Sequence, residues 1–529
     1  MWKKMLSAAL LSVALFSTTV SAAPAGNDNY QNRYKHVQLL GINDFHGQLD
    51  IYQDIDGRQA GGAEYLAAYL KQYEKDNKNT LLVHAGDAVG ASSPVSSLLQ
   101  DEPTIDILNK LGFDIGTVGN HEFDEGVEEM NRLIYGGEHE QTGDFEGASF
   151  PYTVANVVDE DTGEHILPPY VTKKVNGMPI GFVGVVTTET QNSVLPSGIK
   201  GLSFTDETEA INNAVQQLKD QGVQSIVVLA HVPASSDQDG SKPSGDVVEF
   251  APQIDDEVDV IFGGHNHDYA NTVIDGKLIV QSYSSGTAFS DVDLMIDPKT
   301  KDIVSKEAKI VTTYHDQIEP DETVANMVDT YEADIQDLVD EVIANASEPI
   351  TSIQDDSGES ALGNLVADSH RAAMVTDFAF MNPGGIRADL DEGPITWGEL
   401  YTMLPFGNNL VEMTLTGEQI KAVLEQQWEG DSTHILQISG LQYTWDDEAP
   451  VGNRVLEISD SEGNPIDLEQ PYTVTVNNFL AEGGDGFTVL TDGADEVAGP
   501  LALDAMIEYL EGMEGEVDAP DEVDRIRVE

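Results

Sequence analysis

The stretch Val37-Gln38-Leu39-Leu40-Gly41-Ile42-Asn43-Asp44-Phe45-His46-Gly47 starts as an apolar run and ends in an aspartate, a histidine and a glycine. The run reads as a buried strand and its polar end as the loop that follows. The same arrangement recurs along the next 220 residues or so. After the run 81–85 comes Gly86-Asp87, and after 115–118 comes Gly119-Asn120-His121-Glu122-Phe123-Asp124. After 226–230 comes His231, and after 258–262 comes Gly263-Gly264-His265-Asn266-His267. A further apolar run lies at 180–186, and helical patterns fall between the runs at 63–73, 104–111 and 206–219. Strands alternating with helices predict an α/β layered fold, in a block ending near residue 312.

In open α/β sheets ligands bind outside the carboxyl ends of strands, so these five polar ends can converge. Their residue types suit a pair of divalent ions. Imidazole favours Zn, Mn, Fe or Co, and carboxylate and amide oxygens accept the same ions. Two ions about 3.5–4 Å apart can share a carboxylate and activate a water between them. Neighbouring glycines let the backbone turn sharply and leave room. One Asp-x-His alone is commonly structural; five such ends in this order point to a metal centre.

The chain has 529 residues, too many for one core, and its hydrophobic fraction of 40% suffices for packed domains. Its 94 acidic and 26 basic residues give a net charge of −68. That charge disfavours nucleic-acid polymers and anionic membranes, both of which would repel it. The 16 Phe, 17 Tyr and 4 Trp, with clear apolar strands, argue against a disordered acidic chain. An acidic surface of this kind suits a salt-adapted source, because salt at 1 M screens self-repulsion to about 3 Å. With no cysteine, disulfides and zinc–thiolate sites are excluded.

Residues 1–22 read as a cleavable signal peptide: Lys3 and Lys4, an apolar run over 6–16, then Val20-Ser21-Ala22-Ala23. The run is too short for a membrane span, which needs about 20 residues. The mature chain is therefore expected to be soluble and secreted or periplasmic, without stable membrane insertion.

Val324, Met327, Val328, Tyr331, Ile335, Leu338, Val339 and Val342 recur at three- and four-residue steps, with Glu319-Pro320-Asp321 as a start signal. This predicts a connecting helix over 320–345, between a domain at 34–315 and a second at 346–523. The second mixes helices, as at 362–374, with strands at 410–415 and 472–476. The acidic run 511–524 reads as a solvated end.

Asp44-x-His46, Gly86-Asp87, Gly119-Asn120-His121-Glu122, His231 and Gly264-His265-x-His267 resemble the calcineurin-like metallophosphoesterase signature, from residue 37 to about 296. The later segments Glu359-Ser360-Ala361-Leu362-Gly363-Asn364-Leu365, Asn382-Pro383-Gly384-Gly385-Ile386-Arg387, Leu404-Pro405-Phe406-Gly407-Asn408 and Asn478-Phe479-x-x-x-Gly483-Gly484-Asp485-Gly486 resemble the 5′-nucleotidase C-terminal domain. Together the chain is similar to secreted bacterial 5′-nucleotidases and UDP-sugar hydrolases.

The resemblance implies a four-layer β-sandwich flanked by helices, joined by a helix to a smaller mixed α/β domain. It implies one divalent ion on Asp44, His46, Asp87 and His267, and another on Asp87, Asn120, His231 and His265, with Asp87 bridging. The ions would be zinc, manganese, cobalt or magnesium. His121 would face the scissile phosphate, with Asp124 orienting its ring; an N-cap role for Asp124 before Val127 is the alternative. The base would stack between Phe406 and Phe479, Asp485 would bind ribose hydroxyls and Asn382 the base or its neighbours. Both phenylalanines could instead be core residues.

Arg387 carries a further argument. After Lys309 the basic residues are Arg371, Arg387, Lys421, Arg454, Arg525 and Arg527. In so acidic a domain, an arginine beside a Gly-Gly turn suits a bidentate contact to phosphate or ribose, with pairing to Asp389 as the alternative. A second arginine common in the family before the Glu359 segment is missing; that stretch is Asp355-Asp356-Ser357-Gly358. This favours monophosphates. The expected activity is hydrolysis of nucleoside 5′-monophosphates such as AMP by a two-metal-activated water. UDP-sugars or 2′,3′-cyclic nucleotides on the same site are the alternative, and an inactive nucleotide-binding protein the remote one. His36, His84, His139, His165, His315, His370 and His434 lack ligand context, and His84 reads as core.

Overall fold

Side-chain alternation along the apolar runs builds two sheets with a shared interior. The computed structural model describes residues 33–55, 57–429, 433–513, 515–520 and 524–529; the expected signal peptide at 1–22 lies outside them. One six-stranded sheet has the order Ile303–Thr312, Ala288–Ile296, Lys35–Ile42, Thr80–Ala85, Ile115–Thr117, Tyr152–Thr153. The other has the order Tyr170–Val175, Met178–Val186, Ile226–His231, Val258–Phe262, Lys277–Ser282, Tyr269–Ile274. In both, central strands pair in parallel and the outermost pairings are antiparallel on at least one side.

Because successive side chains point to opposite faces, Val37 and Leu39 join Phe182, Leu229 and Val260 in a core between the sheets. Leu40 and Ile42 face the other way, onto helices Ala63–Asp76 and Glu102–Leu111. The second sheet buries Val183, Val228 and Ile261 under helix Glu207–Asp220. The result is helix, sheet, sheet, helix: the expected four layers. Each fully buried aliphatic side chain contributes about 1.5–3 kcal/mol. The sheets interlock closely; a Cβ on Gly41 would lie 2.3 Å from the Phe262 ring.

The second domain is built on a five-stranded sheet, in the order Gln437–Ser439, Phe378–Met381, Pro471–Asn477, Asn409–Thr416, Ala494–Leu501. Two structural differences from the sequence reading bear on its limits. The connecting helix spans Glu322–Val339, not 320–345. Asp321 caps it by accepting from the Thr323 and Val324 amides, both at 3.1 Å. Its apolar face, led by Val324 and Val328, packs on the core of the first domain. Val342 continues the helical spacing but belongs to strand Val342–Ala346, which pairs with Gly393–Thr396. Nor is the acidic run 511–524 wholly solvated: Val517 is buried, its amide donating to the Asn345 carbonyl at 2.7 Å and its carbonyl accepting from the Ser347 amide at 2.9 Å. Beyond residue 523, Ile526–Val528 pairs in parallel with Leu441–Trp445, and Arg525 holds Asp368 through two 2.8 Å bonds.

His84 packs edge-on to Phe150 and Tyr152, as the core reading expects, and fills the space over Gly116. Both its ring nitrogens, and both of the buried His370, lack hydrogen-bond partners. Burial holds His84 down to about 3 and His370 to about 4. An unfolded histidine titrates near 6.5, so as pH falls below that value the unfolded chain takes up protons the folded one refuses. Stability should therefore drop by up to about 1.4 kcal/mol per pH unit for each residue as pH falls from 6.5 toward 4. Urea unfolding at pH 7 and pH 5 should show a smaller loss in a His84→Leu/His370→Leu variant; identical losses would refute this account.

Candidate active site

The polar strand ends meet in one place. Asp44, His46, Asp87, His265 and His267 all have left-handed backbone, with φ between 47° and 80°. Such a conformation costs a non-glycine residue about 1–3 kcal/mol and persists only where the surroundings enforce it. The enforcement is visible. The His265 amide donates to both Asp44 oxygens at 2.9 and 3.1 Å, and Asn43 Nδ2 donates to Asp44 Oδ2 at 2.7 Å. A Cβ on Gly119 would stand 2.1 Å from Asp87 Oδ1, so only glycine lets the carboxylate sit there.

Two donor groups result. In the first, His46 Nε2 lies 3.0 Å from His267 Nε2 and 3.7 Å from Asp87 Oδ2, and His267 Nε2 lies 3.6 Å from Asp44 Oδ1. In the second, His231 Nε2 lies 3.1 Å from Asp87 Oδ2 and 3.2 Å from Asn120 Oδ1, which is 2.9 Å from His265 Nδ1. Ligand atoms about 2.0–2.2 Å from one ion stand at roughly such separations, and the imidazole, carboxylate and amide donors are those a divalent transition ion takes. The residues therefore fit two ions, with Asp87 common to both groups. Burial pulls the His231 pKa down, but Asp87 and Asp44 more than offset it, lifting it to about 9. The pocket thus favours positive charge.

His121 stands at the edge of this cluster, its ring 5.0 Å from that of His46. Its Nδ1 is 2.7 Å from Asp124 Oδ2, and its amide donates to Asp87 Oδ1 at 2.9 Å. Burial lowers its pKa, but Asp124 and Asp87 leave it raised overall. Gly126, not Asp124, occupies the N-cap of helix Val127–Tyr135.

The second domain brings its predicted residues to the same cavity, of about 550 Å³. Asn382, Arg387, Phe406, Phe479 and Asp485 line it together with Asp87, Asn120 and His121. The Phe406 ring lies nearly parallel to His121, at 15° and 5.8 Å, with the Arg387 guanidinium 5.8 Å from its centroid. Phe479 packs on Gly484, partly joins the core of its own domain and also lines the cavity. Asp485 accepts from Asn382 Nδ2 at 3.1 Å. Arg387 makes no ion pair within 4.0 Å among the described residues, and Asp389 instead accepts from Ser352. The carboxylates that act electrostatically on Arg387 are Asp87, Asp124 and Asp44, all in the first domain.

Several residues here carry no role in the sequence reading. Glu122, buried, accepts from the amides of Asp87 at 3.0 Å, Ala88 at 2.7 Å and Gly119, tying two strand-end loops together. Burial and the nearby Asp87 push its pKa up to about 7. Its position inside the Asn120-His121-Glu122 run was the available signal. His434, set aside for lack of context, lines the cavity, as do Glu189 and Asn192.

Residues 37–269 match the model of the calcineurin-like phosphoesterases and residues 342–492 that of the 5′-nucleotidase C-terminal domain. The chain is 42% identical over 526 residues to Endonuclease YhcR of Bacillus subtilis, covering 97% of this chain and 43% of that protein. It is 38% identical over 501 residues to Cell wall protein Lmo0130 of Listeria monocytogenes, covering 85% of this chain and 64% of that one. The chain thus spans less than two thirds of the length of either relative. Among solved structures, the 5′-nucleotidase precursor of Thermus thermophilus superposes with a TM-score of 0.81 at 29% identity, covering 93% of this chain and 99% of the other.

Proposed function

The chain belongs to the calcineurin-like phosphoesterases that carry a 5′-nucleotidase C-terminal domain, and from that premise we propose that it hydrolyses nucleoside 5′-monophosphates outside the cytoplasm. One observation carries the reading: the donor cluster and His121 share a cavity with an arginine, two phenylalanines and an aspartate from the other domain. Divalent ions on the seven donors would supply charge neutralisation at the phosphoryl oxygens and an acidified water.

The chain's own residues do the rest. Arg387 binds phosphate oxygens, being a cation beside the cluster that makes no ion pair among the described residues. Phe406 and Phe479 offer π-faces to the base, where stacking is worth about 1–3 kcal/mol. Asp485, oriented by Asn382, accepts from the ribose hydroxyls. His121, held by Asp124, gives its proton to the departing O5′. Positioning and electrostatics supply most of the acceleration, as is general for phosphoryl transfer.

A location outside the cytoplasm is supported by the signal-peptide pattern of residues 1–22 and by the relative named as a cell wall protein. No helix among the described residues is long and apolar enough to cross a membrane. Phosphate release from AMP with Mn²⁺, repeated after chelation, tests the proposal: activity should vanish with the metal and return on its addition. A panel with UDP-glucose, 2′,3′-cyclic AMP and a single-stranded oligonucleotide tests the substrate. Preference for any of these over AMP would overturn the monophosphate reading.

A further inference from the structure

The histidines of the donor cluster are held from behind in different ways. His46 and His231 each turn one ring nitrogen toward the cluster and place the other 2.9 Å from a backbone carbonyl, of Gly90 and Ala85 respectively. His265 turns Nδ1 toward Asn120, and its outer nitrogen, Nε2, faces a side chain: Glu189 Oε2 at 3.8 Å. That is an ion-pair separation, beyond hydrogen-bond length. Glu189 precedes the short helix Thr190–Ser193, which touches the Gly484–Gly486 turn of the second domain.

A carboxylate here needs a reason. It lines the cavity proposed to receive an anionic phosphate, where an uncompensated negative charge would repel substrate. Its compensation is the outer face of His265, whose Nε2 stands 3.8 Å away. A carboxylate behind a ligating imidazole favours the tautomer with its proton on the outer nitrogen and strengthens the ring as a donor, and at 3.8 Å it acts here through charge. We propose that Glu189 is a positioning residue for His265, tuning metal affinity at the Asp87–Asn120–His231–His265 group from the substrate side of the cavity. This rests on the two-ion reading above.

Calorimetric titration of Mn²⁺ into chelator-stripped full-length protein tests it, with wild type, Glu189→Ala, Glu189→Gln and His265→Ala compared. Glu189→Ala should weaken one of two binding events by about 10–100-fold, the same event that His265→Ala removes, and leave the other within twofold. Glu189→Gln should fall between wild type and Glu189→Ala. The Co²⁺-loaded variant should also show a shifted visible spectrum. The proposal is overturned if Glu189→Ala titrates like wild type, or if both events weaken together with a fall in melting temperature. A wild-type titration lacking two events would instead overturn the two-ion reading, and this role with it.

Discussion

Asp87→Ala is expected to lower AMP hydrolysis by at least ~10³-fold, because a shared metal ligand supports several kcal/mol of charge stabilisation and about 1.4 kcal/mol is worth a factor of ten. Its carboxylate lies between the two donor groups. Its Oδ2 lies 3.1 Å from His231 and 3.7 Å from His46, and its Oδ1 accepts the His121 amide at 2.9 Å. Removing the carboxylate would take a ligand from both donor groups and unfasten the loop that carries His121. Two controls separate chemistry from folding. Melting temperature should stay within a few degrees, since the position is at a loop and not in the sheet cores. Metal titration should lose its two-event form. Hydrolysis at the wild-type rate would remove the basis of the mechanism.

His121→Ala should reduce kcat for AMP by about 10²–10⁴-fold, the usual contribution of a positioned proton donor. The discriminating measurement is the leaving group. O5′ of ribose is a poor leaving group and needs the proton, whereas p-nitrophenolate does not. On p-nitrophenyl phosphate the loss should therefore be much smaller. Asp124→Asn should show the same pattern more weakly, because it removes the negative charge that faces Nδ1 across 2.7 Å but keeps an acceptor and the ring itself. Equal losses on both substrates would mean that His121 acts on the phosphoryl group and not on the departing oxygen.

The strand-end Asp, Asn and His donors were legible because they follow closely on apolar runs, so local pattern and chemistry agree. Asp124 was ambiguous by the same local logic, standing three residues before a helix; the structure gives the cap to Gly126 and the carboxylate to His121. Glu122 was quoted within its run yet had no assignable role, since two of its three partners, Asp87 and Ala88, lie 35 and 34 residues earlier. Glu189 and His434 sit in no motif, and only the closure of distant loops around the cavity gives them a context. Periodicity carried the connecting helix past its end because Val342 fits both a helical face and a strand. The last strand was hidden by its acidic surroundings: Ile526–Val528 gains its partner from residues 441–445, far back in the chain.

Between the helix ending at Val339 and the strand beginning at Val342 only Asp340 and Glu341 remain. The Trp397 amide fastens the Glu341 carbonyl at 2.8 Å, and Gly398 sits against Val339. With the helix seated on the first core, that pair is the sole covalent crossing, and two residues reach about 7 Å at most. This short crossing, packed against helix Trp397–Met403, holds the two bodies close together at this point. Whatever separation Arg387 and Phe406 could gain from the histidines is bounded by that short crossing, which fixes the two bodies to each other at one end.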